Sequence, residues 1–410
     1  MFHEIIIIGA GASGMIAALT AKDSGKDVAL IDGSNRICKK ILITGNGRCN
    51  ITNTDQNLSR YHSNNSYFFK DILSNFTYKN TFDFFASIGL PLTTQENGKA
   101  YPMSFQASSV VDILKIAAEE RNIPIYLNSK VKSIIRKNNN FKIICNNQTF
   151  KCNKVILCTG GKSAANTGSD GSGFLIAQKL GHNIITPVPS LVQLKLKYNH
   201  LKALSGVKFN GECELIVDGK SMRKEYGEIL FTDYGISGPP ILQVSGIASR
   251  NLLYNRDVKL KVDMFPNFSK KQLIDFLENH FGLLGYRSTY SSFIGIINKK
   301  IIPIILKEAN LSSIHKPTSD LTWNEKKNIY DILKSWTFTV YDTNSFRNSQ
   351  VTSGGVDTQE INPLTLESKI IPNLYFAGEV VDVDGDCGGF NLQWCWSSGF
   401  IAGKSAAKSN

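Results

Sequence analysis

Residues 1–32 read MFHEIIIIGAGASGMIAALTAKDSGKDVALID, and their pattern decides the fold. Ile5 to Ile8 are a short, wholly apolar, β-branched run, as in a buried strand of a parallel sheet. Gly9-Ala10-Gly11-Ala12-Ser13-Gly14 follows at once, then a helical stretch from Met15 to Ser24 that Gly25 ends. Val28 to Ile31 form a second apolar strand, and Asp32 stands at its end, eighteen residues after Gly14. Strand, G-x-G-x-x-G, helix, strand, acid is an arrangement that holds a dinucleotide. Gly9 allows a tight turn, Gly11 lets a pyrophosphate approach the backbone, and Gly14 lets the helix pack close to the strand. The helix N-terminus, entered through Ala12 and Ser13, offers free N–H groups and a partial positive charge to phosphate. Asp32 can accept hydrogen bonds from a ribose hydroxyl.

At 410 residues the chain has room for two or three domains. Its 42% hydrophobic and 20% charged content is that of a soluble globular protein. The start does not read as a signal peptide, because the apolar run is short and leads straight into the glycine loop. No stretch approaches the roughly 20 apolar residues of a membrane span. The eight cysteines form no C-x-x-C and no zinc spacing with the six histidines, so no metal site is expected and a reducing cytoplasm is. The net charge of +12 raises the question of a nucleic-acid partner. Lysines are scattered, with short pairs at 39–40, 270–271, 299–300 and 326–327 and no long basic run, which argues against one.

After Asp32, residues 36–53 are dense in Gly, Asn, Thr and basic groups and read as a ligand loop. Arg36, Lys40 and Arg48 could meet phosphate or a carbonyl there, beside Thr44-Gly45-Asn46-Gly47 and Cys49-Asn50. Cys38 and Cys49 could form a redox pair, and Cys49 beside Arg48 could have a lowered pKa. Residues 66–90 and 108–122 read as helical. Short strands at 125–127, 131–136, 141–145 and 150–151 form a meander split by Asn-rich turns. A buried strand at 154–158 then opens into Thr159-Gly160-Gly161, and a glycine-rich segment to Gly173 leads into a helix over 174–180.

From about 190 apolar and polar residues alternate over 191–197, 207–217 and 258–264, as in half-buried antiparallel strands. Residues 227–240 read as a turn-rich loop. Residues 269–336 read as helical, with capping boxes at Ser269/Gln272 and Thr322/Glu325 and a break at Pro303. An inserted module over 191–338 follows, mainly β to 265 and helical from 266. Near 340 the chain returns to the first domain, so 1–190 and 339–410 form one discontinuous unit. Residues 370–379 are an apolar strand ending in Gly378-Glu379, and a closing helix starts at Trp394. Asp382, Asp384 and Asp386 lack an EF-hand pattern and read as solvated turn acids.

These motifs resemble the glutathione-reductase-type FAD flavoproteins, and more closely the aminoacetone-oxidase-like (BaiN-like) family of FAD-dependent oxidoreductases. The resemblance runs through the first glycine loop, Thr44 to Asn53, Thr159 to Ser163 and Thr167 to Gly171. It continues at Phe231 to Pro239, Gly354 to Val356 and Leu374 to Gln393. It implies an α/β, Rossmann-like FAD domain with a parallel sheet and β-meander, carrying an inserted β-barrel-like and helical module. Gly9, Gly11 and Gly14 would then cradle the FAD pyrophosphate, Asp32 would hold the ribose, and Val131 would meet adenine through its backbone. Thr159 and Gly160, with Gly161, would flank the cofactor. Gly378 and Glu379 would stand beside the ribityl-phosphate arm. Gly389, Asn391 and Gln393, with Phe390, would line the isoalloxazine at the last helix's N-terminus. Cys387 and Cys158 depart from the family's more usual Thr and Ala.

The expected activity is hydride transfer between flavin and a small organic substrate. It would be that of an aminoacetone-type amine oxidase or of a reductase with NAD(P)H as transient donor. No second G-x-G-x-x-G offers a dedicated nicotinamide domain. A folate- or tRNA-linked flavoprotein, or a non-catalytic FAD-binding protein, is the alternative. Loops that could face the flavin carry Arg48, Cys49, Thr232, Asp233, Tyr234 and Asn391, of which Tyr234 or Asp233 could handle a substrate proton.

Overall fold

A computed structural model describes residues 1–408. The chain divides into two compact units, one of Met1–Pro189 with the segment from Ser349 onward, the other Ser190–Asn348.

The first unit is built on β1 (Phe2–Ile8), α1 (Ala12–Asp23) and β2 (Val28–Ile31). Two short strands follow, β3 (Thr52–Asn53) and β4 (Tyr61–His62). Next come α2 (Phe68–Asn75), α3 (Tyr78–Ser87), β5 (Leu92–Thr94), β6 (Lys99–Pro102), α4 (Ala107–Glu120) and β7 (Ile125–Tyr126). The expected single helix over 66–90 is therefore two, because Thr77 starts α3 with a capping box to Asn80. β7 pairs parallel to β2, so it belongs to the parallel sheet rather than to the meander.

The meander is β8 (Val131–Lys137), β9 (Asn140–Cys145) and β10 (Thr149–Leu157). β10 is one strand where the sequence suggested two. Its first half pairs antiparallel with β9 (Phe150 opposite Ile143), and its second half runs parallel to β1 (Ile8 opposite Leu157). No glycine or proline interrupts 151–155, so the backbone stays extended and fuses meander to parallel sheet. Then come α5 (Ser172–Lys179) and β11 (Ile184–Ser190).

The second unit opens with β12 (Leu194–Lys197), α6 (Leu201–Leu204), β13 (Lys208–Val217), β14 (Lys220–Phe231), β15 (Gly235–Ser237) and α7 (Pro239–Leu253). After β16 (Val258–Asp263) come α8 (Lys270–Leu283), α9 (Thr289–Phe293), α10 (Ile302–Glu308) and α11 (Trp323–Ser335), then β17 (Trp336–Thr343). The strands close a barrel in the order β12-β15-β14-β13-β16-β17. Three expectations change here. Gly227 to Phe231 is strand, because ten positions of β13 hold β14 in register. The boundary at 338 falls inside β17, which pairs with both β12 and β16 and so is needed for closure. Pro303 stands in the first turn of α10, where its missing N–H costs nothing, so it starts a helix instead of breaking one. Both expected capping boxes form.

The chain re-enters the first unit with β18 (Val351–Val356), paired with β11, then β19 (Leu374–Phe376), paired with β10, β20 (Asp384–Gly385), paired with β4, and α12 (Phe390–Lys408). Ile5 to Ile8, Val28 to Ile31 and Val155 to Leu157 are all buried, each large side chain contributing about 1.5–3 kcal/mol. α12 packs on α1 at Gly399 and Gly403, where a Cβ would come within 2.4–2.5 Å of Ser13 and Ala17 backbone oxygens. Among the described residues no helix is long and apolar enough to cross a membrane.

Candidate functional site

The turn from β1 into α1 gives its three glycines separate reasons. Gly9 has φ of +106°, and a Cβ there would sit 2.3 Å from the Cys158 carbonyl oxygen. At Gly14 a Cβ would come within 1.8 Å of the Gly9 carbonyl oxygen, so this glycine lets α1 lie close to the strand. At Gly11 a Cβ would meet nothing within 4 Å. Packing therefore explains Gly9 and Gly14, and open space remains beside Gly11 at the helix N-terminus, where an anion is favoured.

The last motif comes to this turn. Ser13 is buried, and its hydroxyl donates to the Ala377 carbonyl at 3.4 Å, across 364 positions. The Gly378 N–H donates to Ser398 Oγ at 2.9 Å, and Trp394 Nε1 donates to the Gly378 carbonyl at 3.1 Å. Ser13 of α1 and Gly378 thus stand together, with Gly378 tied to α12 through Ser398 and Trp394.

Asp32 is fixed across the turn. Its carboxylate accepts from Ala10 N at 2.7 Å and Ser34 N at 2.6 Å, leaving lone pairs on both oxygens. It lines a crevice at the C-terminal ends of β1 and β2 with Gly9, Ser34, Ser129, Lys130, Val131, Thr159, Gly168, Asp170 and Ser172. An open parallel sheet binds its ligands at that edge. Val131 and Thr159 were expected here, whereas Lys130 and Ser34 carried no sequence signal.

The second glycine segment has unsatisfied polar atoms. Thr159 Oγ1 and Ser169 Oγ are buried without a hydrogen-bond partner, on either side of Gly160 (φ +70°). Such orphans cost about 1–3 kcal/mol each unless a ligand meets them. Gly161 is a packing glycine: a Cβ there would meet Thr352 Oγ1 at 2.4 Å. Together the open side of Gly11, the held Asp32 and these orphans fit a dinucleotide such as FAD.

The 36–53 loop is less uniform than its composition suggested. Thr44 Oγ1 donates to the Ile41 carbonyl at 2.6 Å. Gly45, Asn46, Gly47 and Cys49 all have positive φ, so the backbone coils tightly, with Gly45 to Arg48 exposed. Arg36 is also exposed. Lys40 is not free for phosphate, because its ammonium pairs with Glu379 at 2.7 Å. The other Glu379 oxygen accepts from Thr352 N at 2.7 Å. A lowered Cys49 pKa is overturned: burial pushes the thiol up to about 12. Cys38 is pushed higher still by burial and the nearby Asp32 charge, so neither thiol is activated as a thiolate.

At the start of α12, Gly389 has φ of +101°, and a Cβ there would lie 2.9 Å from Asn50 Oδ1, itself buried and unpartnered. Phe390 is buried edge-on to Tyr61. Asn391 and Gln393 are engaged elsewhere. Asn391 exchanges hydrogen bonds with the Gly385 backbone at 2.8 and 2.6 Å. Gln393 Oε1 accepts from Thr52 at 2.5 Å and Thr81 at 2.8 Å, while its Nε2 donates to the Phe76 carbonyl and Ser397 Oγ. Its amide ties α12 to its neighbours and has no capacity left for a flavin ring.

Asp382, Asp384 and Asp386 are buried rather than solvated. Asp382 accepts from Asn64 N, Asp384 from Ser353 Oγ, and Asp386 meets His62 and Arg60. Separate partners keep these charges apart, and no cluster among the described residues could hold a metal ion. In the second unit Tyr234 Oη accepts from Asn344 Nδ2 at 3.0 Å, Thr232 Oγ1 is buried without a partner, and Asp233 is exposed.

Fold and cradle define a Rossmann-type α/β protein with a dinucleotide site. The HI0933-like protein Rossmann domain matches residues 3–405, and the chain belongs to that family, one of flavin-dependent oxidoreductases. A 3-dehydro-bile acid delta(4,6)-reductase of Clostridium scindens is 37% identical over 408 residues, 99% of each chain. A ribosomal RNA dihydrouridine synthase of Haemophilus influenzae is 31% identical over 419 aligned positions, again 99% of each. The solved 3-ketosteroid delta1-dehydrogenase of Sterolibacterium denitrificans shares the fold, with 13% identity and a TM-score of 0.52 over all of both chains. The family resemblance read from separated motifs thus extends over the whole chain.

Proposed function

We propose that the protein is an FAD-dependent reductase that saturates a carbon–carbon double bond conjugated to a carbonyl. The observation that carries the cofactor is the turn at Gly9 to Gly14, where Gly11 alone borders open space. The relatives support the reaction class. A delta(4,6)-reductase and a dihydrouridine synthase are both named for double-bond saturation, since dihydrouridine is uridine with its ring double bond saturated. This reading displaces the amine-oxidase expectation, which no relative named above supports.

Reduced flavin supplies the hydride. This chain's residues do the rest. Gly11 and the α1 N-terminus receive the pyrophosphate, and Asp32 receives the ribose from its fixed position. Val131 and Thr159 border the adenosine end. The N-terminus of α12 stabilises negative charge that develops nearby. The carbon next to the carbonyl must take a proton, from an acid beside the substrate or from water.

A visible spectrum of the purified protein tests the reading, followed by anaerobic reduction with NADH, NADPH or dithionite and addition of a 3-oxo-4,6-diene bile acid. Reoxidation of the flavin with loss of the dienone absorbance supports it, and a donor that bleaches the flavin identifies the reductant. Bleaching by aminoacetone alone, with peroxide release in air, would make it an oxidase. A protein that takes up no FAD defeats the reading.

A second reading, a polynucleotide substrate, is favoured by charge distribution. Ser190–Asn348 holds twenty-two lysines and arginines against fifteen acids, the larger share of the +12. RNA binding that weakens steeply with salt would support it.

A further inference from the structure

In the segment Thr167-Gly168-Ser169-Asp170-Gly171 the Asp170 carboxylate has no role in the reading above, and neither has the side chain of Lys130, the residue before Val131. Both border the same crevice. Ser129, Lys130 and Val131 contribute the start of β8, while Gly168, Asp170 and Ser172 contribute the approach to α5. Lys130 Nζ lies 2.5 Å from Asp170 Oδ2, so an ion pair joins these two parts of the lining. The lysine side chain is 57% exposed and the aspartate 33%, which puts the bridge at the solvent side. Asp170 is oriented beforehand, because its other oxygen accepts from Ser172 N at 3.0 Å. Asp32 and Thr159 line the same crevice as the two ends of this bridge.

We propose that Lys130 and Asp170 form a strap across the mouth of the adenosine end of this crevice, which opens before a bound dinucleotide leaves. The proposal rests on the FAD reading and assigns these two residues to cofactor retention. A partly exposed pair of this kind is worth a small factor, about two- to fivefold in a rate. Its attraction is screened by salt, so release should quicken with ionic strength.

The test is the rate of FAD release from holoenzyme, followed by the rise of flavin fluorescence on dilution. Lys130→Met, Asp170→Asn and the double variant are compared with wild type. Asp170→Asn keeps an acceptor for Ser172 N, and melting of each apoprotein checks the fold. Each single variant should release FAD about two- to fivefold faster, and the double variant no faster than either single. Raising NaCl from about 0.05 M to about 0.5 M should speed wild-type release and leave the double variant unchanged. Wild-type release rates in the single variants, or effects that simply multiply in the double, overturn the strap. A wild-type protein that holds no FAD overturns the cofactor reading and the strap with it.

Discussion

The Lys40 ammonium lies 2.7 Å from the Glu379 carboxylate, although 339 positions separate them. Each residue alone suggested a contact to the cofactor. Together they form a half-buried ion pair, and Glu379 also accepts from Thr352 N. Glu379→Ala removes both interactions and should lower stability by about 1–3 kcal/mol. Glu379→Gln keeps an acceptor for Thr352 N and should cost less. Urea unfolding of the three proteins measures the order, and equal losses in both variants would remove the Thr352 contact from the account.

Gly11→Val should fold and melt like wild-type apoprotein but purify without FAD. The new side chain enters open space and meets the incoming pyrophosphate instead of protein. The ratio of flavin to protein absorbance and a melting curve check both halves.

Gly14→Ala should destabilise the protein itself, by about 1–3 kcal/mol or more, because its Cβ would meet the Gly9 carbonyl oxygen. Melting of the apoprotein should fall by several degrees even without cofactor.

Gln393→Leu should cost about 2–4 kcal/mol. It leaves the Thr52 and Thr81 hydroxyls and the Phe76 carbonyl without this buried partner. Denaturant titration reads the loss. A variant of wild-type stability would show that Gln393 does not anchor α12.

His182 predicts a pH dependence. Its side chain is fully buried between Glu360 and Ser368. Burial lowers its pKa below the ordinary 6.5 despite the opposing effect of Glu360. The unfolded chain therefore binds this proton more readily than the folded one, and stability falls as pH drops below about 6.5. Melting temperatures from pH 7.5 to 5.5 should decline in wild type and decline less in His182→Gln.

Cys49, with its thiol pushed up to about 12, should resist alkylation at pH 8 in the native protein and react once unfolded. Peptide mapping after iodoacetamide treatment measures this.

The N-terminal dinucleotide unit was legible because its information is local. Apolar runs at Ile5–Ile8 and Val28–Ile31, glycines at fixed offsets and a terminal acid act within thirty-two residues, and each needs only its neighbours to act. The capping boxes at Ser269 and Thr322 were legible for the same reason. Pairings over hundreds of positions were not. Whether β10 is one strand or two, whether β17 closes a barrel, and whether Asp382, Asp384 and Asp386 face water depend on partners the local pattern does not name. The side chains of Asn391 and Gln393 show the limit most directly. Sequence placed them at the start of the last helix. Only the tertiary structure decided that their hydrogen bonds go to Gly385, Thr52 and Thr81, because a buried amide must be satisfied by whatever the fold brings beside it.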